Sequence, residues 1–214
     1  MIITTSTGEE IAIDRPTGRE INPDVWSMPE GELRRVERHA IGWRMDVVYY
    51  DGSGIRAVGD YRPDFITGSP FPKGWQTCAP EARCDIGSPG HVRAVRYLTT
   101  PHCTPHPYCA CGLRLMETIG LVSALVGRRG EQFLAEWARP EDQVDTALCI
   151  SAVVGRGLTC NGESLDPDGT LRTQWLALDD VLLMGAKDGH VAEMFNGTGM
   201  DVRVVPDLAA LQDA

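Results

Sequence analysis

The chain has 214 residues, of which 43% are apolar and 23% charged, and its formal net charge is −10. This composition is ordinary for a globular protein, and a chain of this length buries enough surface to fold without disulfide staples. The acidic balance disfavours generic binding to nucleic acid or to an anionic membrane, because phosphate contacts need clustered Lys and Arg.

The amino terminus reads MIITTSTGEE and has neither a basic head nor a long apolar run, so no secretory signal is predicted. No stretch approaches the roughly 20 apolar residues of a membrane span. We therefore expect a cytoplasmic protein without a membrane partner, whose seven cysteines stay reduced. Clustered cysteines in such a compartment more often bind metal than pair with one another.

The first half of the chain favours strands and loops. The predicted elements, in order, are a hairpin over residues 2–13, a short helix over 30–38, and strands over 42–50, 55–58 and 92–98. Prolines and glycines punctuate residues 61–89 every few positions, which is typical of a loop.

After Gly112 the apolar residues recur with helical spacing, at Leu115, Met116, Ile119, Val122, Leu125 and Val126. Gly127 is expected to end this helix, and residues 131–138 to form a second helical turn. The later part returns to strands, predicted over residues 147–154, 171–178, 181–184, 191–195 and 202–205. A turn is expected at residues 166–169 and a short terminal helix after Pro206. This order predicts one α+β domain over residues 1–214, mostly antiparallel sheet with a central helix.

The most specific feature is the segment HCTPHPYCACG at residues 102–112. Thiolates and imidazoles are the ligands that structural Zn²⁺ prefers, four in a tetrahedron. The sequence therefore predicts a zinc-knuckle-like loop over residues 78–112, inserted before the central helix. The preferred ligands are Cys84, His102, Cys109 and Cys111. His106 stays open as an alternative histidine, and Cys78 and Cys103 as alternative cysteines.

A competing explanation is that these thiols and imidazoles bind nothing, but a proline-rich loop has little core in which to bury them. Cys149 and Cys160, in contrast, flank an apolar strand and are predicted to be buried core thiols. Residues 86–115 contain no Asp or Glu and carry Arg93, Arg96 and Arg114. These arginines would offset the negative charge of three thiolates on Zn²⁺. Alternatively, they form an anion-binding patch.

The same residues resemble a group of proteins from actinobacteria and their phages, whose pattern centres on His-x-x-Pro-x-x-x-Cys-x-Cys-Gly. In this chain the pattern corresponds to residues 102–112, preceded by Gly42-Trp43-Arg44, Gly74-Trp75 and Ala82-Arg83-Cys84, and followed by a late strand at residues 169–175. Leu113-Arg114 departs from the Tyr-Ala pair that the group often has. The resemblance implies a metal-bound α+β domain, favours His102 over His106, and implies no particular reaction.

No P-loop, Gly-x-Ser-x-Gly elbow, dinucleotide fingerprint or His-Glu-x-x-His motif is present in the sequence. The first hypothesis is therefore a non-enzymatic zinc protein that binds another macromolecule, preferably a protein. A phage or prophage factor that acts on a host protein would be of this kind. The second is a hydrolase with an open zinc position and His106 or His91 as base. The third is a nucleic-acid binder that uses the arginines around the loop, Arg93, Arg96, Arg114, Arg128 and Arg129.

Overall fold

The computed structural model describes residues 2–12, 33–50, 55–59, 105–106, 112–137, 145–161, 166–197 and 200–213. These ranges contain the strands β1 (Ile2–Thr4), β2 (Glu10–Ala12), β3 (Leu33–Tyr50), β4 (Ile55–Gly59), β5 (Leu113–Met116), β6 (Asp145–Asn161), β7 (Thr170–Gly185), β8 (Asp201–Val205) and β9 (Gln212–Asp213). They also contain the helices α1 (Ile119–Trp137) and α2 (Gly189–Glu193), with 3-10 turns at Ala186–Asp188 and Leu208–Ala210. The prediction of a mixed α+β protein with mostly antiparallel strands is confirmed.

Four of these strands close into a ring. β3 pairs with β6, β6 with β7, β7 with β5, and β5 with β3, all antiparallel. One buried cluster takes side chains from every strand of this ring: Ala40, Leu113, Leu115, Val153, Leu171 and Leu176. The cluster therefore lies inside the ring, where small residues make room for large ones.

Leu115 shows why glycine is needed inside this strand ring. A Cβ on Gly42 would lie 2.5 Å from the Leu115 Cδ1, and a Cβ on Gly155 would lie 2.9 Å from its Cδ2. Real Cβ atoms do not approach carbon so closely, so the two glycines allow β3 and β6 to close around the leucine.

The larger core lies between the other face of β3 and β6 and the helix α1. Trp43, Met45 and Val47 alternate along β3 and pack with Ile119 and Val122 of α1 in one buried cluster. Asp213 of β9 caps the start of α1, because its carboxylate oxygens accept hydrogen bonds from the backbone N–H groups of Ile119 and Gly120, both at 3.1 Å.

The remaining strands attach at the edges. β8 adds to β7 as a parallel strand, and β4 pairs with β3. β1, β2 and β9 form a separate three-stranded sheet. The guanidinium of Arg203 on β8 donates to the carbonyl of Ala12 on β2, which links this small sheet to the large one.

Several predicted elements are confirmed. The opening hairpin is β1 and β2, and the strands predicted over 42–50 and 55–58 are β3 and β4. The apolar run at 147–154 lies in β6. Gly169 has a φ of +74° in the expected turn, where the Thr170 N–H donates to the Pro167 carbonyl at 3.2 Å. The strand predicted over 92–98 lies outside the described residues.

Other predictions were wrong. Residues 33–38 are strand rather than helix, because residues 33–36 pair with the end of β6. Leu115 and Met116 belong to β5, since their backbone pairs with β7. The strands predicted over 171–178 and 181–184 are one strand, and residues 191–195 form the end of α2 and a turn.

Gly127 does not end the central helix, which runs on to Trp137. Packing explains the continuation, since a Cβ on Gly130 would lie 2.8 Å from the Leu148 Cδ2. The glycine lets α1 approach β6 closely, so tertiary contact outweighs the low helix propensity. Within the described ranges, no helix has the length and apolar character that crossing a bilayer requires.

Candidate metal centre

Of the predicted metal ligands and anion-binding arginines, His106 and Arg114 fall within the described part of the chain. Arg128 and Arg129, which the nucleic-acid hypothesis also uses, are exposed on α1. The preferred ligands Cys84, His102, Cys109 and Cys111 lie outside it, as do the alternative ligands Cys78 and Cys103 and the arginines Arg93 and Arg96. The predicted ligand set stays a prediction. The described residues show how Gly112, the last residue of the candidate segment, packs at the start of β5.

Pro105 and Gly112, here called the loop stem, lie against each other. A Cβ on Gly112 would lie 2.7 Å from the Cβ of Pro105. Pro105 and Gly112 are therefore neighbours in space. Gly112 has a φ of +109°, a conformation that L side chains rarely adopt. His106 follows Pro105 directly and is half-buried.

Arg172 of β7 lies directly beneath the loop stem. The same Cβ on Gly112 would lie 3.0 Å from the Cβ of Arg172 and 3.4 Å from its Cδ. Arg172 is 0% exposed, so its aliphatic stem forms part of the packed floor on which Gly112 rests. The loop stem is therefore seated on the strand ring.

A buried ion cluster extends from Arg172. Its Nε donates to one carboxylate oxygen of Asp166, and the Nε of Arg114 donates to the other oxygen at 2.8 Å. The Asp166 side chain is 3% exposed and that of Arg114 is 7% exposed. These three residues are called the arginine cluster below.

The arginine cluster follows from strand register. Arg114 of β5 and Arg172 of β7 are directly opposite each other, and like charges in that arrangement repel. The turn at Pro167–Gly169 places Asp166 just before β7, where its carboxylate lies between the two guanidinium groups. The negative charge thereby allows two buried cations to face each other across a strand pair.

Sequence reasoning missed this cluster. Arg114 was expected to offset the charge of the zinc thiolates or, alternatively, to join an anion-binding patch, and the structure buries it against Asp166. An anion-binding role for Arg114 stays a prediction. Arg172 carried a visible signal, since it is a charged residue in the middle of an apolar strand. Asp166 gave no such signal, because an Asp at this position is already accounted for by the predicted turn at residues 166–169.

The two described cysteines are both buried thiols, as predicted. Cys160 is the cross-strand neighbour of Arg172 on β6. Cys149 lies opposite Asp46 on β3. Burial raises the pKa of Cys149 well above its usual range, and the nearby Asp46 carboxylate raises it further. Cys149 is therefore held as the neutral thiol, which neither attacks substrates nor ligates metal readily.

A second buried polar group lies on the inner face of β3 and β6. Arg44 donates through its Nε to Asp46 at 2.8 Å, and the hydroxyl of Ser151 donates to the other Asp46 oxygen. All three residues are 5% exposed or less. This enclosed arrangement satisfies the Asp46 carboxylate and fits a structural role in holding β3 to β6.

A cavity of about 550 Å³ lies between the middle of α1 and the segments that follow β7 and β8. Asp188 lines it and is 7% exposed. Burial raises the pKa of the Asp188 carboxyl. One oxygen of that carboxyl is enclosed and receives no hydrogen bond in the part of the chain that the structure describes.

Within the described ranges, no three His, Cys, Asp or Glu side chains converge on a common point where an ion could bind. The donors of the candidate loop nevertheless fit zinc chemically, because its sequence offers imidazole and thiolate groups beside a closed stem. Comparisons with known protein families, curated proteins and solved structures find no match to this chain.

Proposed function

We propose that this protein is a zinc-binding protein of non-enzymatic type, in which the ion is structural and the folded surface binds another macromolecule, most of all a protein. The observation that carries the proposal is the contact between Pro105, Gly112 and Arg172. Gly112, the last residue of the candidate loop, is held between Pro105 of the same loop and the buried Arg172. An ion within the loop would then have a fixed frame on which to assemble its ligands.

The donors are the second support. The chain between the two stem residues includes His106, Cys109 and Cys111, and Cys84 and His102 lie upstream. Cys109 and Cys111, with one histidine and Cys84, would complete a tetrahedral set. Bound zinc would supply a crosslink between distant parts of the chain, and its binding free energy would add to the folding free energy.

A protein partner fits the charge better than nucleic acid does. The net charge is −10, and Arg114, which the nucleic-acid hypothesis needs at the surface, is 7% exposed beside Asp166, which leaves Arg128 and Arg129 as the exposed arginines of that hypothesis within the described residues. Phosphate binding requires exposed cations. A gel-shift titration with duplex and single-stranded DNA separates the two hypotheses, and salt-sensitive binding at low micromolar protein would support nucleic acid instead.

Elemental analysis of the purified full chain tests the metal. We expect one zinc ion per chain, with the loop cysteines reduced. The variant Cys111→Ser should lose the ion and about 3 kcal/mol or more of unfolding free energy, because a tightly bound ligand stabilises the folded state by mass action. Zinc content is measured by mass spectrometry and stability by urea unfolding.

Cys149→Ala is the matched control, because Cys149 is a buried thiol far along the chain from the loop. It should keep the full zinc content. A preparation without tightly held transition metal, or with the loop cysteines oxidised in pairs, would contradict the proposal.

A further inference from the structure

We infer that the cavity between α1 and the segments after β7 and β8 binds a small acidic molecule with an apolar body and an N–H donor, and that the Asp188 carboxyl accepts that donor. The cavity measures about 550 Å³, within the range of small-molecule sites in proteins. Its described lining residues all lie outside the candidate metal loop over residues 78–112, so the inference does not depend on zinc.

Asp188 is the side chain on which the site depends. It is 7% exposed, and one of its carboxylate oxygens is enclosed without a donor among the residues that the structure describes. Buried polar groups in proteins nearly always have a hydrogen-bond partner, so an enclosed acceptor at the wall of a cavity indicates a donor from outside the chain. Water can be this donor in the free protein, and a ligand N–H would replace it.

The usual structural role of an Asp at this position does not account for the carboxyl. Asp188 is the N-cap of α2, but its side chain makes no capping hydrogen bond. Burial raises the pKa of the Asp188 carboxyl even though Lys187 and His190 act in the opposite direction. The last side-chain torsion of Asp has a broad, nearly two-fold profile, so a carboxyl without a capping bond can turn either oxygen towards the cavity.

The walls of the cavity fit an apolar body. Aliphatic side chains from α1, from β6 and from the segment after β8 line it: Val126, Leu134, Leu148, Pro206 and Leu208. A ring system placed against these side chains would leave water, which is the main driving force for small ligands in such cavities.

The exposed part of the lining favours an acidic group. Arg128, Arg129 and Lys187 line the cavity and are exposed. The exposed carboxylates of the lining are Glu131 and Asp207, and one oxygen of Asp207 already accepts a backbone N–H at 2.9 Å. Three cations against two carboxylates attract an anion and disfavour a cationic amine as the donor. A neutral ring N–H with an acidic substituent satisfies both conditions.

Three probes built on one scaffold test the two polar parts of the ligand. Indole-3-acetate has the ring N–H and the carboxylate, 1-methylindole-3-acetate lacks the donor, and 3-methylindole lacks the acid. Binding to the full chain is followed by amide shifts in two-dimensional NMR spectra. We expect indole-3-acetate to bind with a Kd of about 1 mM or below, as the ligand efficiency of small molecules predicts. The shifted amides should belong to residues 126–132 and 185–188, which line the cavity.

The two truncated probes should bind more weakly for different reasons. 1-Methylindole-3-acetate should lose about 10-fold or more in affinity, because it leaves the Asp188 acceptor without a donor. 3-Methylindole should lose about 2- to 5-fold, the effect of exposed ion pairs, and this difference should shrink at high salt.

The variant Asp188→Ala separates binding from folding. It should weaken indole-3-acetate binding about 10-fold, because it removes the acceptor. Its melting temperature should not fall below that of the wild type, since the variant loses a buried group that no described residue supplies with a donor. Glu193→Gln is the matched control, because it removes an exposed carboxylate of α2 that does not line the cavity. It should bind all three probes as the wild type does.

The inference is overturned if indole-3-acetate does not bind at about 10 mM, or if the shifted amides lie away from the cavity. Equal affinity of the wild type for the N-methylated probe, or of Asp188→Ala for indole-3-acetate, would show that the carboxyl is not the acceptor. Equal affinity for 3-methylindole at low salt would remove the acidic group from the ligand class. If Asp188→Ala does not fold, the comparison of the two indole acetates on the wild type decides.

Discussion

Gly112 is the residue at which the candidate loop and the strand ring meet. Its φ of +109° and the two neighbours within 3.0 Å of a Cβ impose separate demands for glycine. Gly197 has a similar left-handed φ of +82°, but a Cβ there would meet nothing within 4 Å. Comparing Gly112 with Gly197 therefore separates the cost of a left-handed backbone from the cost of a steric clash.

We predict that Gly197→Ala lowers the free energy of unfolding by about 1 kcal/mol, the cost of a left-handed non-glycine residue. Gly112→Ala should cost about 2 kcal/mol more than that, because the added methyl also overpacks the stem against Pro105 and Arg172. Urea unfolding of both variants measures the difference. If both variants lose the same free energy of unfolding, the contacts of Gly112 with Pro105 and Arg172 do not contribute to stability.

Buried charge is handled differently at three residues. Asp166 and Asp46 each receive donors on both carboxylate oxygens, so the hydrogen-bonding needs of both buried carboxyls are met. Asp188 has one enclosed oxygen that no described residue supplies with a donor, and burial raises its pKa. The neutral form of Asp188 is therefore favoured by folding, and its stabilising effect is lost as the pH rises through the raised pKa.

At the scale of elements, the helix α1 contains two glycines, Gly127 and Gly130, whose surroundings differ. A Cβ on Gly127 would reach the Ala209 Cβ at 3.4 Å, an ordinary contact distance. A Cβ on Gly130 would lie 2.8 Å from the Leu148 Cδ2 and 3.2 Å from the Val126 Cγ1. Helix propensity favours alanine at both positions, but packing opposes it at one.

We predict that Gly127→Ala raises the free energy of unfolding by about 0.5 to 1 kcal/mol, because alanine restricts the unfolded chain and suits a helix. Gly130→Ala should bring no gain, since Leu148 must move to admit the methyl. Thermal unfolding of the two variants side by side checks this. A gain at Gly130 as large as that at Gly127 would contradict the packing argument.

The elements that sequence predicted correctly are those whose pattern is local. The hairpin of β1 and β2 and the turn before β7 depend on neighbouring residues, and both are present. The alternation predicted over residues 171–178 fails at its start, since Leu171, Arg172 and Thr173 are all 0% exposed. Residues 33–38 are polar and read as helix, yet pairing with β6 makes them strand. Leu115 and Met116 fit a helical period, yet they form a strand because their backbone pairs with β7. Long-range pairing decided both cases, and no local pattern contains it.

The same contrast between local pattern and long-range pairing applies to the candidate site. The spacing of His, Cys and Pro predicts a candidate loop, and this stays a prediction, although Gly112 at its end does have a left-handed φ of +109°. The arginine cluster could not be found in that way, because Arg114 and Asp166 are 52 positions apart and meet only when β5 pairs with β7. The absence of Asp and Glu from residues 86–115 gave no indication that a carboxylate from a distant part of the chain pairs with Arg114.

At the scale of the whole molecule, the strand ring has one weak member. β5 has 4 residues, against 18 in β3, 17 in β6 and 16 in β7. It meets β3 through a single register pair, Trp43 with Met116. β5 is also the strand attached to the loop stem, so any loosening of the loop acts first where the ring is least secured.

Removal of the proposed zinc with EDTA should therefore open the ring locally rather than unfold the chain. We predict faster amide exchange in Leu113–Met116 and in the facing residues 170–173 of β7, because these share the β5 ladder. Peptides from the paired centres of β3 and β6 should keep their protection, since their register is independent of the loop. Hydrogen exchange with mass spectrometry measures both regions in one experiment. The variant Cys111→Ser should already lack the ion. Its amides in β5 and in residues 170–173 should therefore exchange fast before EDTA is added, with no change afterwards. If EDTA instead speeds amide exchange uniformly over β3, β6 and β7, the ion stabilises the whole fold and not only the closure of the ring.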